Sequence, residues 1–289
     1  MVGDRRYQDM RLQLPSGILA YRHWPGRGRP LVLLHGLLDS SEGWDLLASE
    51  LNRPIYAFDL PGFGSSELPA HAQLSSYAHV ISQAIRKLDL NDFILVGHSL
   101  GGGVATIVAG NNAERVHQLV LLAPVGFGSL PMAEAIAAPL VSQLTSVVLP
   151  LAMKNTLVFN TFYSNMVSHH RPPRPELRER LGEGRPNSSA GAGRAVRALS
   201  RCSRKQLCRQ RNAYRGPVTV LWGEKDILVS PRHSEGLLKA FPQAKITSWA
   251  DIGHHPQHEA PEAMRQFIEA VACGKSVSDI IPEQRQTAR

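Results

Sequence analysis

Cysteine is scarce in this chain: Cys202, Cys208 and Cys273 are the only three in 289 residues. They are too few and too irregularly spaced for a disulfide framework or a metal knuckle. They read as plain thiols of a reducing compartment, so a cytoplasmic location is expected. Aromatic residues are also few, at 6%. The opening "MVGDRRYQDM" carries charge but lacks the apolar run of a secretory leader, and none is expected there. A long uninterrupted apolar run is missing too. The most apolar stretch, "AIAAPLVSQLTSVVLPLAM" (135–153), is broken by Pro139, Gln143 and Pro150. It reads as buried or pocket-lining helices and not as a membrane span.

What is present is the composition of an ordinary globule, 43% hydrophobic and 19% charged. The length suits one large α/β domain, with or without an insertion. The net charge of +8 is local: residues 171–215 hold thirteen basic residues and three acids, and the rest of the chain is slightly acidic. From Arg171 to Gln206 it has no interleaved aromatics and no nucleic-acid-binding signature, so no nucleic-acid partner is expected. It reads as a solvated arginine-rich face on an insertion, with an anionic substrate or surface as the other reading.

Along the chain, strands and helices alternate. "RLQL" and "ILAYRHW" predict a hairpin about Pro15–Gly17. "PLVLLHG", "PIYAFDLPG", "FILVG", "VHQLVLLAP", "PVTVLWG" and "AKITSW" predict strands, the continuous apolar ones buried on both faces. Helices are predicted around Trp44–Leu51, over 75–88, in "LGGGVATIVAG", over Pro231–Phe241 and over Pro261–Ala272. The alternation gives an α/β fold with a mostly parallel central sheet flanked by helices, and ligands at the carboxyl ends of the strands. Residues 127–215 interrupt the rhythm and read as an inserted helical lid. The core is then 1–126 and 216–273, with 274–289 a loosely ordered tail.

Two stretches carry chemistry. Gly97-His98-Ser99-Leu100-Gly101 is G-x-S-x-G, set between a buried strand and an apolar helix, a turn that exposes a strained serine. A serine hydroxyl attacks only when a base takes its proton and an acid orients that base. Asp226, just after "VTVLWGEK", suits the acid; Glu224 competes, Asp251 is near the histidines only in sequence, and Asp59 reads as a turn-builder. "DIGHHPQHEA" offers His254, His255 and His258. The spacing of His254 and His258 matches a helical zinc pair, but Pro256 lies between them and His255 stands where the acid should be. No metal site is expected. In an extended loop, one of His254 and His255 at most faces Ser99.

Together, "HGLLDSSEGW", "DLPGFGSS", "GHSLGG", "WGEKD" and "GHHPQHEAPE" resemble the α/β-hydrolase superfamily, in the branch of serine esterases and carbon–carbon bond hydrolases with a lid. The resemblance runs from His35 to Glu262. It implies His254 as the base, the backbone N–H groups of Leu37 and Leu100 as the oxyanion hole, and no cofactor. Ser99 sets the chain apart from the similar dehalogenases and epoxide hydrolases, which use aspartate there. His35 and His98 are expected to pack and hydrogen-bond, and Trp44 and Trp222 to sit in the core. The expected activity is hydrolysis of a small-molecule carboxylic ester with a medium-sized hydrophobic group, since the lid region is rich in apolar residues. The alternatives are a carbon–carbon hydrolase of a diketone acid, an acyltransferase, or a non-catalytic binding protein on this fold. Asparagine is usual before the serine in the carbon–carbon group, and His98 stands there instead. Oligomeric state is not readable from the sequence.

Overall fold

The computed structural model describes residues 7–37, 39–68, 70–71, 73–130, 155–169, 195 and 213–282. The hairpin forms as expected: β1 (Gln8–Leu14) pairs antiparallel with β2 (Gly17–Trp24) across the Pro15–Ser16 turn. β2 pairs antiparallel with β4 (Ile55–Phe58), and every later pairing is parallel. The remaining strands are β3 (Leu31–Leu34), β5 (Phe93–His98), β6 (Val116–Leu122), β7 (Val218–Gly223) and β8 (Lys245–Trp249). The eight strands run in the order β1-β2-β4-β3-β5-β6-β7-β8.

The apolar runs are continuous because both faces of the sheet are covered. Successive side chains alternate between faces: Val32, Leu34, Leu95, Leu119 and Leu121 enter one core, and Leu31, Leu33, Val96, Val120 and Leu122 the other. The first core is closed by α2 (Leu74–Lys87), α3 (Leu100–Asn111) and α5 (Ser234–Ala240) through Tyr77, Ile81, Val104, Val108 and Leu237. The second is closed by α1 (Asp45–Ala48) and α7 (Pro261–Ala272) through Leu47, Met264, Phe267 and Ile268. Trp44 and Trp222 are both core residues, 1% exposed.

Two helices are shorter than their patterns suggested. The Trp44–Leu51 stretch is a 3₁₀ turn over Ser41–Trp44, capped by Ser40, followed by the single-turn α1. The Pro231–Phe241 stretch likewise opens with a 3₁₀ turn capped by Ser230 before α5 begins. In each case a serine side chain takes up an early amide and tightens the first turn.

The chain leaves the sheet at β6 and returns at the neighbouring β7. Of the intervening residues, 155–169 form α4 (Thr156–Phe162), capped by Asn155, and a wider π turn over Tyr163–Val167. Most of the expected lid, including its arginine-rich stretch, Cys202 and Cys208, lies outside the described residues. The C-terminal segment expected to be loose is in part fastened: Val277 is buried, and Trp249 Nε1 donates to the Ile280 carbonyl at 2.9 Å. A buried indole N–H requires an acceptor, and this segment supplies it.

Candidate active site

Four loops meet at the carboxyl ends of neighbouring parallel strands, after β3, β5, β7 and β8, where α/β sheets place their ligands. Ser99 sits between β5 and α3 with φ 51° and ψ −113°. This left-handed geometry costs a non-glycine residue of order 1–3 kcal/mol, and surrounding bonds hold it. Ser99 N–H donates to Leu122 O at 2.9 Å, and its carbonyl accepts from Gly102, Gly103 and Val125 at 3.0, 3.2 and 3.2 Å. The glycines of the motif are steric requirements. A methyl at Gly101 would collide with the Leu34 and His35 carbonyls, and one at Gly36 would come within 2.8 Å of His98 Nδ1 and 3.3 Å of Ser99 Cβ.

Asp226 lies on the loop after β7 with a fully buried side chain. Its Oδ1 accepts from Leu228 and Val229 N–H, both at 2.9 Å, which leaves Oδ2 for His254 Nδ1 at 2.7 Å. His254 Nε2 is 2.9 Å from Ser99 Oγ. A carboxylate only accepts, so Nδ1 carries the imidazole proton and Nε2 offers its lone pair to the serine hydroxyl. Ser99, Asp226 and His254 are thus joined in one hydrogen-bonded chain.

The competitors point elsewhere. Glu224 accepts from Ser248 Oγ at 2.9 Å on the surface, and Asp251 is exposed. Asp59 is buried and builds the loop beside the site, accepting from Ser41 N–H at 2.7 Å and Ser65 N–H at 2.9 Å. His35 Nε2 accepts from Leu60 N–H at 2.9 Å. Leu37 follows Gly36, and Leu100 opens α3 directly after the serine. Among the described residues, neither amide donates to a protein acceptor.

His255 and His258 are both buried. His258 Nε2 stands 3.8 Å from Asp39 Oδ2, beyond hydrogen-bond distance. Burial alone pushes the Asp39 carboxyl up; His258, His35 and the Ser40 amide outweigh it and hold the group below its ordinary value. Burial, reinforced by neighbouring histidines, pushes His98 and His255 well below theirs. Both rings are therefore neutral near pH 7.

His98, His254 and His255 bring nitrogens within 4.8 Å of one another. Metal coordination would dismantle existing bonds. Both His254 nitrogens are engaged, and His98 Nε2 donates to the His254 carbonyl at 2.8 Å. Among the described residues the buried Nδ1 atoms of His98 and His255 lack a partner, and His254 could join them as a ligand only by giving up its bond to Asp226 or Ser99.

Sequence reasoning assigned no role to Glu259. Its buried carboxylate accepts from Gly253 N–H at 2.9 Å, His255 N–H at 3.1 Å and His169 N–H at 3.2 Å. The available signal was an acid four residues after His255, at the end of the short α6 (Pro256–Glu259). Val167, whose carbonyl accepts from His254 N–H at 2.7 Å, left no signal at all.

The same chain resembles known proteins along most of its length. It is 28% identical over 260 residues to an uncharacterized protein of Mycobacterium tuberculosis, covering 84% of this chain and 75% of that one. It is 25% identical over 257 residues to Lipase 1 of Psychrobacter immobilis, covering 84% and 78%. Among solved structures, a thermophilic esterase from Thermogutta terrifontis superposes with a TM-score of 0.73 at 22% identity, covering 94% of this chain and 99% of that one. An esterase from Exiguobacterium antarcticum gives 0.76 at 18% identity, covering 92% and 100%. The family model described as alpha/beta hydrolase fold matches residues 29–261, a span that takes in β3 through the histidine loop, and the chain belongs to that family.

Proposed function

We propose that the chain is a serine hydrolase of carboxylic esters in which Ser99 is the nucleophile, His254 the base and Asp226 the orienting acid. The observation that carries this reading is the bonded chain from Ser99 Oγ through His254 to Asp226, at 2.9 and 2.7 Å, on a strained strand-to-helix turn.

In this mechanism His254 Nε2 takes the Ser99 proton as Oγ attacks the ester carbonyl, and Asp226 stabilises the imidazolium without taking its proton. The tetrahedral oxyanion is received by the Leu37 and Leu100 N–H groups, which have no competing acceptor among the described residues. His254 then gives its proton to the leaving alkoxide, an acyl-enzyme remains, and water deprotonated by the same histidine releases the acid. Every proton passes through one nitrogen, so no metal or organic cofactor enters these steps.

The substrate class is a small ester with a medium-sized hydrophobic acyl or alkyl group. Phe159, Tyr163 and Val167 form an apolar cluster with Phe162, Met166 and Leu228 beside the histidine loop, and several relatives are named lipases or esterases. We assign residues 1–126 and 216–273 to the core and 127–215 to a cap, which agrees with the eight strands among the described residues falling outside that insertion. No described helix is long and apolar enough to cross a membrane.

Initial rates on p-nitrophenyl esters of increasing acyl length, for the wild type and Ser99→Ala, test the reading. Removing the nucleophile of such a triad costs on the order of 10⁶ in kcat, and the chain-length optimum sizes the pocket. A Ser99→Ala protein with wild-type turnover would refute it.

A further inference from the structure

An imidazole on two side-chain torsions is only as well placed as the backbone that carries it. The His254 backbone belongs to the loop between β8 and α6, outside any helix or strand, yet its own amide and carbonyl and both flanking amides are bonded. Three consecutive amides are taken: Gly253 and His255 by the Glu259 carboxylate, and His254 by Val167 O. The His254 carbonyl receives the Nε2–H of His98.

We propose that His98 and Glu259 are positioning residues for His254, bracing its backbone from two sides so that the ring stays between Asp226 and Ser99. This inference rests on His254 being the base.

His98 acts from the nucleophile side. It precedes Ser99 in the chain, and the elbow thereby reaches across and grips the loop that carries the base. A carbonyl requires a donor, so the single ring proton of neutral His98 sits on Nε2. The ring is fully buried and packs against Gly36, where an added methyl would come within 2.8 Å of its Nδ1. Glu259 acts from the far side. Its Oε2 is shared by Gly253 N–H at 2.9 Å and His169 N–H at 3.2 Å, and Oε1 takes His255 N–H at 3.1 Å. One carboxylate therefore fastens the residues on either side of the base and also the segment 155–169 that packs over the loop. Each bond stands within hydrogen-bond geometry.

The test compares His98→Phe, His98→Gln and Glu259→Gln with the wild type. Phenylalanine keeps a ring and removes the donor, whereas glutamine places an amide N–H where Nε2 stands. At Glu259, glutamine sets an NH₂ against an amide that needs an acceptor. Misplacing a reacting group by about 1 Å costs up to 10²-fold, so His98→Phe and Glu259→Gln are expected to lower kcat on a p-nitrophenyl ester by tenfold or more, with KM nearly unchanged. His98→Gln is expected to recover most of the loss. Thermal melts run alongside separate this from a purely structural role, which would lower Tm and leave kcat per folded molecule intact. Wild-type kcat in both donor- and acceptor-deleted proteins would overturn the proposal, as would a His98→Gln variant no better than His98→Phe.

An inactive wild type, with Ser99→Ala no different, would instead refute the esterase reading. The brace itself would still be measured without turnover, by hydrogen–deuterium exchange over residues 250–256. Faster exchange there in Glu259→Gln supports it, and unchanged exchange overturns it.

Discussion

The turn that carries Ser99 and the loop that carries His254 meet at a 2.9 Å bond but are built by opposite means. The serine turn is made by adjacency: a buried strand runs straight into a buried helix, and the conformation of Ser99 is enforced by backbone atoms packed within a few ångströms. The histidine loop is made at a distance. Its bonds come from Glu259 in α6, Val167 in the insertion and His98 on the elbow. One half of the site is set by local sterics in the central sheet, and the other by hydrogen bonds exchanged with three separate parts of the chain.

If that contrast is real, side-chain chemistry should dominate on the loop side. Asp226→Asn is the largest effect expected. The asparagine must keep Leu228 and Val229 N–H satisfied through its carbonyl oxygen, which turns its NH₂ toward His254 Nδ1. The ring then adopts the other tautomer and Nε2 becomes a donor, useless as a base. A loss of about 10⁴ in kcat is expected, with the melting curve little changed. Wild-type turnover in this variant would show that the loop does not depend on its partners.

Backbone packing should dominate on the elbow side. In Gly101→Ala the new methyl meets two carbonyl oxygens of the strand-to-loop junction at Leu34 and His35, neither of which can move without disturbing the sheet. Overpacking of this kind costs about 1–3 kcal/mol, read as a lower urea midpoint. Gly253→Ala is the paired experiment. Its methyl would meet His169 N at 2.8 Å, Val167 O at 2.9 Å and Ser168 Cα at 3.0 Å, all in the segment 155–169 and outside the central sheet. Here a small change in urea midpoint, below about 1 kcal/mol, should accompany a roughly tenfold loss of kcat through displacement of His254. Equal stability losses in the two variants would erase the distinction.

The same contrast explains what was legible in the sequence. The elbow is contiguous, so G-x-S-x-G between an apolar strand and an apolar helix could be read directly, and the strands followed because burial on both faces leaves unbroken apolar runs such as Leu31–Leu34. Asp226 was readable as an acid after a late strand. The choice of His254 over His255 needed the family resemblance, because alternation in a loop shows only that one of them faces the serine. Glu259 and Val167 stayed invisible in their roles: a carboxylate accepting amides leaves no period, and a carbonyl leaves no residue type. The shortened helices α1 and α5 escaped for a related reason, since apolar spacing does not reveal a serine that tightens the first turn into 3₁₀ geometry.

Where the two regions touch, acid should pull them apart. His98 on the elbow and His255 on the loop meet edge to face with ring centroids 4.6 Å apart, and burial holds both below the ordinary imidazole value of 6.5. A proton on His254 or His258 opposes protonation of both, and Asp39 favours it at His98 without reversing the shift. Below pH 6.5 the unfolded chain therefore takes up protons that the folded chain refuses. Folding stability falls as the pH drops from there toward the folded values, by at most about 1.4 kcal/mol per pH unit for each histidine; above that window neither contributes a slope. The Asp39 carboxyl, held below its ordinary 3.8, adds its loss only in stronger acid. Urea midpoints at about pH 7.5 and 5.5 measure the slope, and His98→Gln, which keeps the donor and removes one titrating ring, should reduce it by up to half. An unchanged slope in that variant would mean that the acid-sensitive contact lies elsewhere and that elbow and loop are not held together by a neutral His98.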